Sequence, residues 1–109
     1  MMKIPRLSNM VVVRHAVNTT EDEPKEGGSW INYWKAHMPY QPPKFCPCCK
    51  KIFTSDNPVV GGHVNRIFEQ DFVKREYIVA VCDTCNKRYK GTKASKIFFV
   101  PKAYLCYVP

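Results

Sequence analysis

Two short cysteine pairs constrain this chain more than anything else in it. Cys46-Pro47-Cys48-Cys49 contains one C-x2-C pair and Cys82-Asp83-Thr84-Cys85 the other, with 32 residues between them. Two thiolates on a tight turn supply two corners of a tetrahedron, and a distant second pair supplies the other two, the pattern of a four-coordinate zinc site. A disulfide framework is the competing explanation for six cysteines in 109 residues. It needs an oxidising compartment, and the early apolar patch Met10-Val11-Val12-Val13 is cut off by Arg14, short of the roughly 7–15 apolar residues of a secretory signal. The chain is therefore expected to be intracellular and cytoplasmic, with Cys46, Cys49, Cys82 and Cys85 as ligands of a structural Zn²⁺. Pro47 fixes the first turn. Cys48 is left as a spare thiol, and Cys106, inside the apolar run Tyr104-Leu105-Cys106-Tyr107-Val108, reads as a small core residue.

The length suits one compact domain, and 45% hydrophobic with 13% aromatic residues excludes wholesale disorder. No apolar run approaches the roughly 20 residues of a membrane helix. Lys and Arg number 17 against 9 Asp and Glu, a net charge of +8. That balance favours an anionic partner, nucleic acid before a membrane surface or an acidic protein.

The chain divides into residues 1–28, an N-terminal strand around Met10–Val13 followed by a flexible acidic loop, and residues 29–109, the zinc domain. The loop carries Glu21, Asp22, Glu23 and Glu26 with Pro24 and two glycines. Ser29 then caps a short helix with Trp30, Tyr33, Trp34 and His37 at helical spacing, ended by the Pro39–Pro43 stretch. Its aromatics serve as an apolar lid or, alternatively, as base-stacking groups. Val59–Val64 reads as a strand at a tight bend made by Gly61-Gly62, and Glu76–Val81 as a strand running into Cys82. A helix begins there, with Asp83 and Thr84 in its first turn and Gly91 as its stop. Ile97–Val100 and Ala103–Val108 read as strands separated by Pro101. The expected class is α+β: a zinc-stabilised treble clef (knuckle, hairpin, helix) with an N-terminal aromatic helix and C-terminal strands.

The series Cys46-x2-Cys49, Gly61-Gly62-His63-Val64 and Tyr77-Ile78-Val79-x2-Cys82-x2-Cys85-Asn86, with Trp30 and Tyr33 on the helix before it, resembles the HNH endonuclease superfamily. The zinc-containing members of these ββα-metal nucleases, small phage and bacterial HNH-like proteins among them, share this layout over roughly residues 29–93. The resemblance implies that His63 stands as the general base that activates water beside a divalent cation, Mg²⁺ or Mn²⁺. It also implies that Asn86 takes the place of the last metal-binding residue. Two positions depart from the pattern: Gly62 stands where a ligating Asp or His precedes the base, and Tyr77 where an Asn orients it. The resemblance thus implies a nucleic-acid-binding protein that is weakly active or inactive as a nuclease, with an active endonuclease as the alternative. His63 keeps three readings: general base, structural histidine, or zinc ligand in place of one thiolate. Glu69, Asp71 and Glu76 read as solvated, and His15 and His37 as ordinary surface or packing residues.

Charge is distributed unevenly. Residues 46–109 carry +6 of the +8, and that excess follows Asn86 in Lys87, Arg88, Lys90, Lys93, Lys96 and Lys102. Lys87, Lys90 and Lys93 recur at three-residue steps and would share a helix face. Lys87, Arg88, Lys90, Lys93 and Lys96 are the candidate nucleic-acid contacts, DNA favoured, against the plainer alternative of a solvated lysine face. A third function is a protein-interaction or inhibitor module that uses the exposed aromatics and the acidic loop as its contact surface.

Overall fold

The computed structural model describes residues 9–16, 28–68, 75–89 and 96–109. The acidic loop before Gly28, Glu69, Asp71, Lys90, Lys93 and the expected helix stop at Gly91 lie outside the described residues. In chain order the elements are β1 (Met10–His15), α1 (Trp30–His37), β2 (Val59–Arg66), β3 (Glu76–Cys82), α2 (Asp83–Tyr89), β4 (Ile97–Pro101) and β5 (Cys106–Val108). The strands form one antiparallel sheet in the order β4-β1-β2-β3-β5, so the class is α+β. β1 lies inside that sheet, between β4 and β2, in the same body as the cysteine pairs.

Two local readings change. Gly61 and Gly62 sit in the middle of β2, paired to Ala80 and Val79, and make no bend. The C-terminal strand is shorter than expected, because Lys102–Tyr104 forms a 3-10 turn closed by the Leu105 amide on the Lys102 carbonyl at 3.1 Å.

Alternation along the strands gives the sheet two apolar faces. One face carries Val11, Val13, Val64, Val79, Val81, Phe98 and Val100 in a single cluster with Cys46, Cys48, Cys82 and Cys85. Val100 of the edge strand β4 belongs to the same cluster as Val79 and Val81 of β3. The opposite face carries Ile78 and Cys106 and is covered by α1 through Trp34, with Trp30, Ile31 and Tyr33 around it.

α1 forms because Ser29, in extended backbone, accepts the Asn32 amide on its hydroxyl oxygen at 3.2 Å. It ends where the Met38 amide closes on the Trp34 carbonyl and Pro39 follows. Trp34 is fully buried and its indole N–H donates to the Tyr104 carbonyl at 2.8 Å, tying the helix to the turn between β4 and β5. Burying one Trp removes about 150–250 Å² from water, worth about 4–6 kcal/mol before entropy. Gly61 is what lets α1 lie this close: a Cβ there would sit 2.6 Å from the Trp30 carbonyl carbon and 2.7 Å from the Ile31 nitrogen. No helix among the described residues is long and apolar enough to cross a membrane.

Candidate metal centre

The first cysteine pair sits on a tight knuckle. Phe45 and Ile52 bridge its base, the Cys46 amide donates to the Lys51 carbonyl at 2.8 Å, and the Lys50 amide returns to the Cys46 carbonyl at 2.7 Å. Closing so short a loop puts Lys50 at φ 68°, a left-handed conformation costing a side-chain-bearing residue about 1–2 kcal/mol. The second pair straddles an element junction, with Cys82 closing β3 and Cys85 in the first turn of α2. These two placements bring the Sγ atoms of Cys46, Cys49, Cys82 and Cys85 within 4.8 Å of one another. Cys49 and Cys82 are 3.8 Å apart. A tetrahedral ion with metal–sulfur bonds near 2.3 Å requires sulfur–sulfur edges of about 3.8 Å. The four thiols therefore fit a metal ion such as zinc.

Backbone amides aim at the sulfurs as well. The Cys82 N–H donates to Cys46 Sγ at 3.3 Å and the Cys85 N–H to Cys82 Sγ at 3.4 Å. Burial pushes the Cys82 thiol up, but hydrogen bonds from the Cys85 backbone and thiol, Asn57 and Cys46 outweigh it and bring the group down to about 7. Cys46 goes the other way, pushed up to about 11 chiefly by burial. Cys85 is raised too, by burial and then by the neighbouring Cys82 and Cys48 thiols. Burial thus disfavours the thiolate at Cys46 and Cys85, while hydrogen bonds favour it at Cys82.

Asn57 is a supporting residue that the cysteine pattern does not announce. Its side-chain oxygen accepts the Thr84 amide at 2.9 Å, capping α2, while Pro58 accepts the Asp83 amide at 2.9 Å and the Asn57 side chain also bonds Cys82. One residue holds both the helix start and a ligand sulfur, the outer-shell role that orients metal ligands. The only signal in the sequence was an Asn before Pro58 ahead of a strand.

Cys48 and Cys106 lie outside the four-thiol group, as expected of spare cysteines. Cys106 is buried on the α1 side. Cys48 is buried with its Sγ 3.8 Å from His15 Nε2. His15 is no surface residue: it is 1% exposed, and its ring stacks on Tyr89 and packs near Phe98. Burial lowers its pKa to about 4, so it is a neutral core imidazole at pH 7. His37, by contrast, is exposed and stacks on Tyr33.

The two residues carrying the hydrolytic reading are not brought together. His63 pairs across the ladder with Ile78, on the α1 face, where its ring meets Trp30 edge-on at 4.7 Å and its Nδ1 contacts the Glu76 carboxylate. Asn86 lies on the cysteine face, its side-chain oxygen 3.2 Å from where a Gly62 Cβ would stand. Adjacent residues of a strand point to opposite sides, so the sheet stands between them. Tyr77 also belongs to the cysteine face and packs against Tyr107. Glu76, read from the sequence as solvated, instead partners His63: it lies two residues before Ile78, the ladder partner of His63, on the same side of β3. His63 is not part of the four-thiol group.

Of the candidate nucleic-acid contacts, Lys87, Arg88 and Lys96 are exposed. Lys87 lies on α2 one turn after Asp83 and makes an ion pair with it at 2.9 Å, a solvated pair worth a few tenths of a kcal/mol. No family model matches the chain, and neither the curated proteins nor the solved structures contain a match to it.

Proposed function

We propose that this chain is a zinc-dependent nucleic-acid-binding module of HNH-like, treble-clef type that has no working hydrolytic centre. The observation that carries the reading is the convergence of four thiols from a knuckle and a strand–helix junction, directly ahead of a helix presenting Lys87 and Arg88 to solvent. The order knuckle, β2–β3 hairpin, α2 is the treble-clef order, and a zinc ion there would anchor α2 against the sheet. With no acidic residue after Asp83, the chain from α2 onward is a cationic tract on a metal-braced support, suited to phosphate contacts.

Opposite faces for His63 and Asn86 weigh against catalysis. A general base and a metal ligand must reach the same phosphate, and here a β-strand separates them. His63 is better accounted for as a structural group that joins β2, β3 and α1 through Glu76 and Trp30.

The test combines metal analysis, binding and plasmid nicking on one preparation of the full chain. The expected result is one zinc per chain, and duplex DNA affinity that falls with salt. Changing Lys87 and Arg88 together to Ala should reduce the logarithmic salt slope by up to about 1.8. No nicking should occur with Mg²⁺ or Mn²⁺. Absence of all nucleic-acid binding at low salt would overturn the binding reading and favour a protein partner. Nicking that disappears in His63→Ala would overturn the non-catalytic reading.

A further inference from the structure

Beside the metal centre the surface opens into an apolar cleft of about 220 Å³ between the knuckle, β3 and the end of β4. Phe45, Phe99 and Tyr104 supply aromatic rings to its walls, and Lys50 also lines it. Phe45 and Phe99 are each more than half exposed, at 56% and 55%, although the chain has a second apolar face and a core in which to place phenylalanine. The segments that form the rim also carry Lys44, Lys51 and Lys102, all exposed, and among the described residues no acidic one lines the cleft and Lys50 is the one charged residue that does. The space is smaller than the roughly 300–1,000 Å³ of sites that engulf drug-sized ligands, and suits a single planar ring system.

Resting on the nucleic-acid reading above, we infer that this cleft receives an unpaired base of single-stranded nucleic acid. The base stacks on Phe99 and Phe45 while its flanking phosphates lie along Lys50 and the lysines of the rim. Aromatic rings offer every base a π-face, and surrounding cations follow the backbone, which is how sequence-tolerant single-strand sites are built. A paired base cannot enter, because its faces are already covered by its neighbours in the stack. The site is therefore selective for single strands, and none of the residues that line it belongs to α2, whose side chains would meet a duplex backbone. It is braced by the metal centre, since Cys46 is both a candidate ligand and a wall of the cleft.

The test measures fluorescence anisotropy of the zinc-loaded full chain at low salt with four probes. These are labelled oligothymidine, the matching duplex, an abasic strand of equal length, and polyglutamate. Phe99→Ala and Phe99→Trp are the variants, because Phe99 is exposed on β4 and contributes no metal ligand. Zinc content and circular dichroism confirm that each variant is folded. Phe99→Ala should weaken oligothymidine binding by about 5- to 150-fold, the range for losing one base stack. It should leave duplex and abasic binding unchanged, and Phe99→Trp should restore oligothymidine affinity. Unchanged oligothymidine affinity in folded Phe99→Ala overturns the inference. So does binding of the abasic strand or polyglutamate as tight as that of oligothymidine, which would make the cleft a site for acidic chains in general. If only the duplex binds, the inference falls while the proposed function stands; if no nucleic acid binds, both fall.

Discussion

Replacing the adjacent cysteines one at a time separates the ligand from its neighbour. Cys48 and Cys49 are consecutive, yet Cys49 Sγ belongs to the four-thiol group and Cys48 Sγ points to His15. Cys49→Ser should therefore remove one metal ligand of four. Structural zinc sites contribute about 10–16 kcal/mol of apparent binding free energy at pH 7, and a chain of this size has about 5–15 kcal/mol of total stability. Three of the four candidate ligands are themselves members of the main core cluster, so losing the ion would loosen that packing. The expected result is loss of stoichiometric zinc and of the cooperative thermal transition. Cys48→Ser instead exchanges a buried thiol, which hydrogen-bonds the Cys85 thiol and stands 3.8 Å from His15 Nε2, for a shorter hydroxyl that reaches neither as well. A hydroxyl left unbonded there costs about 1–3 kcal/mol, lowering Tm by about 4–20 °C with zinc retained. Zinc content by mass spectrometry, paired with thermal unfolding by circular dichroism, reads both outcomes. Zinc lost from Cys48→Ser but kept by Cys49→Ser would refute the assignment and the geometry behind it.

Three further perturbations test the packing around the centre. His15 has its pKa lowered from 6.5 to about 4, so its neutral form is the one that folds, and stability is complete above pH 6.5 and lost as pH falls toward 4. The loss amounts to about 3 kcal/mol, and urea unfolding at stepped pH should show a shallower decline between 6.5 and 4 in His15→Phe than in the native chain. Trp34→Ala should cost about 3–5 kcal/mol from the cavity and the lost Tyr104 bond, whereas Trp34→Phe, which loses the bond and part of the ring, should cost less; chemical denaturation ranks them. Gly61→Ala should displace α1 with the cysteine site intact, because its added Cβ meets backbone at 2.6 Å; near-ultraviolet dichroism of the tryptophans should change while bound zinc does not.

Much of the architecture was legible because its signals are local. Ser29 as a cap, the aromatic spacing of α1, the β-branched run into Cys82 and the two C-x2-C pairs each state their structure within a few residues. The acidic loop that follows β1 suggested dividing residues 1–28 from the rest, yet the Val11-Val12-Val13 run of β1 pairs with both β4 and β2. His15, read as a surface or packing residue, is the packing kind. Sequence could not choose between those two, because the pairing His15↔Val64 is what turns it inward beside Cys48. Gly61-Gly62 suggested a bend because two adjacent glycines usually relax the chain. Here they are small for opposite reasons, Gly61 beneath α1 and Gly62 beneath Val81 and Asn86.

The same pair of glycines explains why a motif could not decide chemistry. A strand declares which side each residue faces through alternating side chains, and β2 has none at the two positions immediately before His63. The HNH resemblance implied that His63 directly follows a metal-ligand position and that Asn86, directly after Cys85, is a metal ligand. The ladder fixes the parity instead: Gly62 faces Val79 and the cysteines, so His63 must face Ile78 and α1. Moving His63 to the other side would require a one-residue slip of β2, which would carry Val64 out of the core and bring the Gly61 rung to face Asn86. The buried Val64, Val79 and Val81 forbid that slip. The hydrophobic pattern that builds the cysteine-bearing face is therefore the same pattern that keeps the histidine off it.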